Sequence, residues 1–306
     1  MKTKLLAQRL SYGDLIGVVS PSKPVTKDLK SGLDEGVERL KKLGFQVKLG
    51  RYIFQPASPK ERAQDINEMF ADAQVKAIIT AQGGSEANTI LEFLDYQLIS
   101  SHPKIFLGFS DATVLLNAIY QKTGLVTFHG SDVIFGFGRF SSPSSIESFV
   151  DFLVKRIATE IKSDANRQTV IAGQAEGDLI GGNLKTLVKL SGTDYLPDFQ
   201  NKILFIEDHS VTTSPASVMS QLYQLKHQGV FGQVKGLWLG HYQHENQVSY
   251  EEIISKFLRF NDIHLPVLKS DNFGHQVSNI TIPLGVKVNL DATNKHIKIL
   301  DAYLLP

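Results

Sequence analysis

The stretch Lys104-Ile-Phe-Leu-Gly-Phe-Ser-Asp-Ala-Thr-Val-Leu-Leu-Asn117 sets the reading of the whole chain. Ile105–Leu107 is a short, continuous apolar run of the kind a buried strand uses. Val114, Leu115, Ala118 and Ile119 follow at helical spacing, and Gly124 stops the helix. A strand that turns straight into a helix through Gly108 and Ser110 has the form of a nucleophile elbow. Such a turn lifts the serine hydroxyl above the sheet, and the helix N-terminus behind it favours developing negative charge. The second glycine of G-x-S-x-G is absent, because position 112 is alanine. The same residues therefore also read as a serine that merely caps a helix, a common use of serine.

The same strand–helix unit repeats upstream. Leu15–Val19 is a buried-strand run that stops at Ser20-Pro21, and Leu29, Leu33, Val37 and Leu40 form a helical face closed by Gly44. Phe45–Leu49 reads as the next strand. Ser58-Pro59-Lys60-Glu61 is a capping box with proline in the first turn of a helix that runs to Ala71, and Val75–Thr80 is a further strand. Repeated alternation of this kind predicts a parallel sheet with helices on both faces.

Between Gly138 and Gly177 the rhythm breaks. Phe140–Ser145 is rich in turn residues, a helix is expected over Glu147–Ile157, and a polar run extends from Lys162 to Gln168. Beyond it the pattern is mixed. Ile203–Ile206, Leu237–Leu239 and Pro266–Leu268 read as strands, and Ser249-Tyr-Glu-Glu252 caps a helix ending near Arg259. Lys287–Leu290 and His296–Leu300 flank an Asn294-Lys295 turn and form a terminal hairpin. The expected fold is α/β, with an N-terminal doubly wound parallel-sheet domain over 1–150 and a linker region over 151–176. A C-terminal mixed, β-rich α/β domain occupies 177–306.

Composition narrows the function. Hydrophobic residues make up 42% of the 306 positions, enough for a full-sized core. Lys plus Arg number 32 and Asp plus Glu 31, so no basic excess exists to neutralise a nucleic-acid backbone. The absence of cysteine removes disulfides, zinc–thiolate sites, iron–sulfur clusters and thiol nucleophiles. Any covalent catalysis then falls to a hydroxyl. The first ten residues lack the apolar core of about 7–15 residues that a signal peptide needs. No run approaches the roughly 18 apolar residues of a membrane span. The expectation is a cytoplasmic protein with neither a membrane nor a nucleic-acid partner.

In parallel sheets ligands bind beyond the carboxyl ends of the strands, which directs attention to the turns after Thr80, Leu107 and Ile206. The first carries Gly83-Gly84-Ser85, whose backbone amides can approach a ligand closely. Neither this turn nor Gly136-Phe-Gly138 belongs to a phosphate-binding pattern. The third is followed by two carboxylates, Glu207 and Asp208. Several histidines compete as a base: His275 in Asn272-Phe-Gly-His-Gln276, His129 before Gly130, His209 beside Glu207, and His241. His241 and His244-Glu245 do not match metal-ligand spacing, and no third ligand is evident, so neither a metal nor a cofactor is expected. Trp238, the single tryptophan, lies in an apolar run and reads as core.

Several blocks recur in a familiar order: Gln82-Gly-Gly-Ser-Glu-Ala-Asn88, Leu94-Asp-Tyr-Gln-Leu-Ile99, Pro103–Asp111 and Lys122-Thr-Gly-Leu-Val-Thr-Phe-His-Gly130. Gly177-Asp-Leu-Ile-Gly-Gly-Asn-Leu184, Leu204-Phe-Ile-Glu-Asp208 and Gly274-His275 with Ile282-Pro-Leu-Gly285 follow. In wording and spacing, over residues 12 to 300, the chain resembles the LD-carboxypeptidase family of serine peptidases. The resemblance implies that Ser110 is the nucleophile, His275 the general base and Glu207 the carboxylate that orients it. It makes the backbone amides of Gly84 and Asp111 the oxyanion hole. It also implies a homodimer and a small peptide substrate whose scissile amide joins an L-centre to a terminal D-amino acid with a free carboxylate. Base and acid then come from the second domain and the nucleophile from the first.

The family holds murein tetrapeptide carboxypeptidases and microcin-immunity carboxypeptidases, and the Tyr96–Phe128 wording looks closer to the second branch. Two departures point the other way. Ser85 stands where the family often has an aromatic residue, and 139–178 lacks the tryptophan that microcin-type members stack on a nucleotide base. A catalytically silent binding protein of the same fold is the third alternative.

Overall fold

Apolar runs separated by amphipathic helices build a parallel sheet in the N-terminal half, as the alternation predicts. In the computed structural model, which describes residues 3–162, 167–242, 244–245 and 248–306, the chain divides into two compact units. One holds Met1–Ile157, Ser278–Gly285 and Tyr303–Pro306; the other holds Ala158–Val277 and Val286–Ala302.

In the first unit β1 (Leu15–Val19), β2 (Gln46–Leu49), β3 (Val75–Thr80), β4 (Ile105–Gly108) and β5 (Thr127–His129) lie in the order β5-β4-β3-β1-β2, all parallel. The central strands β3 and β4 are almost wholly buried, which explains their continuous apolar runs. The helices are α1 (Lys30–Lys42), α2 (Pro59–Ala71), α3 (Tyr96–Ser101), α4 (Thr113–Thr123) and α5 (Pro143–Phe149). The expected capping box starts α2: the Ser58 side chain accepts from the Glu61 amide, and the Glu61 carboxylate accepts from the Ser58 amide at 2.8 Å. The helix expected over 147–157 begins earlier, at Pro143 behind a Ser142 cap, and passes into a π-helical turn at Val150–Val154.

The second unit is a mixed sheet. Its strands are β6 (Gln168–Ile171), β7 (Gln174–Asn183), β8 (Lys202–Glu207), β9 (Gly236–His241) and β10 (Val267–Gly274). Its helices are α6 (Leu184–Leu187), α7 (Pro215–His227) and α8 (Tyr250–Phe260), the last started by the expected Ser249–Glu252 capping box. The chain then returns to the first unit for β11 (Ile282–Leu284), antiparallel to β5, before β12 (Lys287–Asp291) and β13 (His296–Ile299) form the terminal hairpin. The order is β13-β12-β7-β8-β9-β10-β6. A parallel centre of β7, β8, β9 and β10 is flanked by antiparallel edges. Trp238 is fully buried between Phe205 and Phe273, and its Nε1 donates to Ser270 Oγ at 2.9 Å.

The division differs from boundaries at 150 and 176. The π turn at Val150–Val154 belongs to the first unit, and β6 and the start of β7 lie inside the stretch read as a linker. Residues 163–166, within the polar run expected from Lys162 to Gln168, lie outside the described residues. The first unit also takes back 278–285 and 303–306. Ile282 and Leu284 are buried against β5, and Leu304 is buried too. A three-residue strand carries no periodicity to announce where it pairs. No helix among the described residues is long and apolar enough to cross a membrane.

Candidate active site

Ser110 follows the carboxyl end of β4. Its backbone is left-handed, with φ at +59°, a conformation that costs a non-glycine residue energy and recurs at functional turns. The positions that cap the two helical turns here are Phe109 and Ala112, and neither uses its side chain as a cap. Ser110 is therefore not the N-cap residue of α4. A Cβ built on Gly108 would lie 2.6 Å from the Ala112 Cβ and 3.0 Å from Thr80 Oγ1. Alanine at 112 is thus a small residue where the longer motif has its second glycine.

The glycine pair after β3 borders this turn. A Cβ on Gly83 would stand 2.9 Å from the Ser110 Cβ, 3.0 Å from its Oγ and 3.5 Å from the Asp111 nitrogen. Gly83 is bare because Ser110 occupies the space. Gly84 instead backs onto Ser22, whose Oγ would be 2.1 Å from an added Cβ. The sequence marks the pair but not this split of roles. Asp111, whose amide is an expected oxyanion donor, has a fully buried carboxylate. Its Oδ2 accepts from Ser22 Oγ and from the Ala87 amide, both at 2.8 Å.

The second unit holds the carboxylate and the imidazole. Glu207 ends β8 and is fully buried. Its Oε2 lies 2.8 Å from His275 Nδ1 and accepts from the His275 amide at 3.3 Å, and its Oε1 accepts from Asn183 Nδ2 at 3.0 Å. Asn183 Oδ1 in turn accepts from the Thr186 amide and caps α6. Asn183 belongs to the Gly177–Leu184 stretch, and nothing local to that stretch reveals its contact with a carboxylate 24 positions on. His275 follows β10 directly. The turn needs Gly274, whose φ is +123° and whose Cβ would meet the His241 carbonyl oxygen at 2.9 Å. With Nδ1 donating to Glu207, the Nε2 of a neutral His275 is the acceptor, the tautomer a general base requires.

The other sequence candidates fall elsewhere. Asp208 is buried; its Oδ1 accepts from the His209 amide at 2.8 Å and Thr213 Oγ1 at 2.9 Å, while its Oδ2 has no partner among the described residues. Burial first, and the charge of Glu207 second, push its pKa up to about 6. The His209 ring lies 4.5 Å from that of His275, and burial pulls its pKa below the ordinary imidazole value. His129 is buried in β5, edge-on to Phe109 at 5.4 Å. His241 Nδ1 pairs with Asp271 Oδ1 at 2.9 Å, and Lys269 binds the same oxygen. The His241 bond leads in holding the Asp271 pKa at about 2. Among the described residues no group of three or more His, Asp or Glu side chains is arranged to hold a metal ion.

These features define a class before any name is attached: two α/β units, one bearing a serine elbow and the other a carboxylate–imidazole pair. The profile of the LD-carboxypeptidase N-terminal domain matches residues 16–130, and that of the C-terminal domain matches 176–290. The microcin C7 self-immunity protein MccF of Escherichia coli is 34% identical, the match covering 98% of this chain and 97% of that protein. A probable murein peptide carboxypeptidase of Bacillus subtilis (strain 168) is 33% identical, over 94% of this chain and 91% of that one. A solved structure of MccF in complex with aspartyl sulfamoyl adenosine has a TM-score of 0.89 at 34% identity, covering 98% and 100% of the two chains. The chain belongs to the LD-carboxypeptidase family, as its sequence blocks implied.

Proposed function

We propose that this protein is a serine carboxypeptidase that hydrolyses the amide bond to a C-terminal D-amino acid in small murein-type peptides. The observation that carries the reading is the left-handed backbone of Ser110 at the strand–helix turn. A left-handed residue at a strand–helix turn is the form of a nucleophile elbow. The 2.8 Å contact of Glu207 with His275 supports the reading, because a serine nucleophile calls for a base oriented by a carboxylate.

In this mechanism His275 Nε2 takes the proton of Ser110 Oγ as the oxygen attacks the scissile carbonyl. Glu207 holds the imidazole tautomer and balances its positive charge. The amides of Gly84 and Asp111 receive the charge that gathers on the carbonyl oxygen. Collapse of the tetrahedral intermediate passes the proton to the leaving amine, releasing the D-amino acid and leaving an acyl-serine. Water, deprotonated by the same histidine, then frees the enzyme. In this reading the enzyme acts as a cytoplasmic homodimer on recycled murein peptides.

A second reading is favoured by the similarity to MccF, which is known in complex with an aminoacyl sulfamoyl adenosine. There the acyl chemistry is the same and the leaving group differs. The absence of tryptophan from 139–178 favours the murein-type substrate.

A panel of murein tri-, tetra- and pentapeptides beside an aminoacyl sulfamoyl adenosine, with products read by mass spectrometry, separates the two. Release of D-alanine from the tetrapeptide is expected, and Ser110→Ala should lower it by about 10⁴-fold or more. Full activity in Ser110→Ala overturns the nucleophile. Hydrolysis of the adenylate alone transfers the assignment to the second reading, and inactivity toward the whole panel favours a binding protein.

A further inference from the structure

Ser22 lies in the turn after β1, and only 2% of it is exposed. Its Oγ donates to Asp111 Oδ2 at 2.8 Å and accepts from the Ser85 and Glu86 amides, both at 2.9 Å. A hydroxyl has one proton and two lone pairs, so every valence of this oxygen is committed. The three partners come from two turns far from Ser22 in sequence, one following β3 and one following β4. The Ala87 amide adds a second bond to the same Asp111 oxygen at 2.8 Å.

The β1 turn that carries Ser22 is itself held. Arg62 Nη1 donates to the Pro21 carbonyl at 2.8 Å and also binds the Ser22 carbonyl. Gln82 Nε2 donates to the Lys23 and Pro24 carbonyls at 3.3 and 3.1 Å. The oxygen is therefore a fixed post rather than a mobile surface hydroxyl.

We infer that Ser22 is a positioning residue for the oxyanion hole: its hydroxyl locks the turn bearing the Gly84 amide to the turn bearing the Asp111 amide. The inference rests on the serine-peptidase reading and adds to it the group that sets the spacing of the two donors. Gly84 lies directly against Ser22, and the peptide plane after it is fixed by the bond from the Ser85 amide. Asp111 is held through its own side chain. Removing the oxygen takes one hydrogen bond from each of the Ser85 and Glu86 amides and one from Asp111 Oδ2, which keeps the Ala87 amide, and it loosens the tie between the two turns. Ground-state binding does not depend on that spacing; stabilisation of a developing oxyanion does.

The test compares Ser22→Ala with wild type in peptide hydrolysis and in the phosphonylation of Ser110 by a fluorophosphonate, followed by mass spectrometry. Phosphonylation forms a tetrahedral centre without using the peptide. Ser22→Ala should lower kcat by about 10- to 100-fold with KM unchanged, less than the 10²–10³ of deleting a donor outright. It should slow phosphonylation by the same factor. Ser22→Cys keeps the shape but offers a sulfur that hydrogen-bonds weakly, so it should fall between the two, and it carries the test if the alanine variant does not fold. A folded Ser22→Ala or Ser22→Cys that is phosphonylated at the wild-type rate overturns the role of Ser22. The serine reading itself fails on a different result: no labelling of the wild type, together with full activity in Ser110→Ala.

Discussion

Asp208 carries its hydrogen bonds on one oxygen only. Oδ1 takes the His209 amide and the Thr213 hydroxyl, and Oδ2 is buried without a partner among the described residues. That arrangement suits a neutral carboxyl, in accord with a pKa raised from 3.8 to about 6 by burial and by Glu207. Between these values the folded chain holds a proton that the unfolded chain has released. The stability this proton contributes is complete below about pH 4 and is lost as the pH rises through about 6. The span corresponds to something on the order of 3 kcal/mol. Asn at 208 keeps the accepting oxygen and replaces only the orphan one with a neutral group. Asp208→Asn should therefore gain thermal stability relative to wild type as the pH rises from 4 to 7, read from unfolding midpoints across that range. A difference independent of pH would refute the raised acid. At this scale the sequence is legible where a polar group follows an apolar run, as Ser110 does after Ile105–Phe109 and Glu207 after Ile203–Ile206; His275 follows no such run and stands out only through Gly274 and the family block. The sequence is silent on Ser22, because the role of that hydroxyl is made by turns 63 and 89 positions away.

Helices and strands were legible wherever local chemistry decides them. Both capping boxes were readable from four residues each, since the reciprocal bonds are made within one turn. Ser249→Ala should thus lower stability by about 1 kcal/mol, seen as an earlier urea midpoint with an unchanged slope. An unshifted midpoint would mean that tertiary contacts, not the cap, start α8. Elements decided by close approach were not legible. Gly136-Phe-Gly138 fits no phosphate-binding pattern, and it lies in a π-helical turn at Val133–Arg139 pressed on α1. A Cβ on Gly36 would sit 2.1 Å from the Val133 carbonyl oxygen, and one on Gly138 would sit 2.3 Å from that of Gly32. These glycines serve backbone contact between helices, which no spacing within either segment reveals. In the same way β7 reads as a glycine-rich block rather than a strand. Gly181, at φ +129°, lets the backbone pass where a Cβ would fall 1.9 Å from the Phe205 oxygen.

At the level of the whole molecule, a single linker accounts poorly for a chain that enters and leaves the first unit repeatedly, at 157, 278, 285 and 303. The returning segments are structural parts of that unit. β11 closes the edge of β5, the Thr281 amide donates to Ser148 Oγ at 2.9 Å, and Ser131 Oγ donates to the Asn279 carbonyl at 3.3 Å. Near the end of the chain, Tyr303 packs on Phe152 with ring centres 5.3 Å apart, and Arg156 Nε donates to the Leu304 carbonyl at 2.8 Å. Cutting after Ile157 therefore does more than remove a neighbour. It opens a sheet edge at a strand only three residues long and uncovers apolar side chains that Ile282, Leu284 and Leu304 bury. An unpaired edge beside exposed apolar surface favours association over folding. A fragment of residues 1–157 should lack a cooperative urea transition and sediment as aggregates, while the full chain stays folded under the same conditions. Joining the 278–285 segment to the fragment through a flexible linker should recover part of the transition. A monomeric 1–157 with a sharp transition of its own would show that the N-terminal domain, read from the sequence as 1–150, is complete without the returning strand.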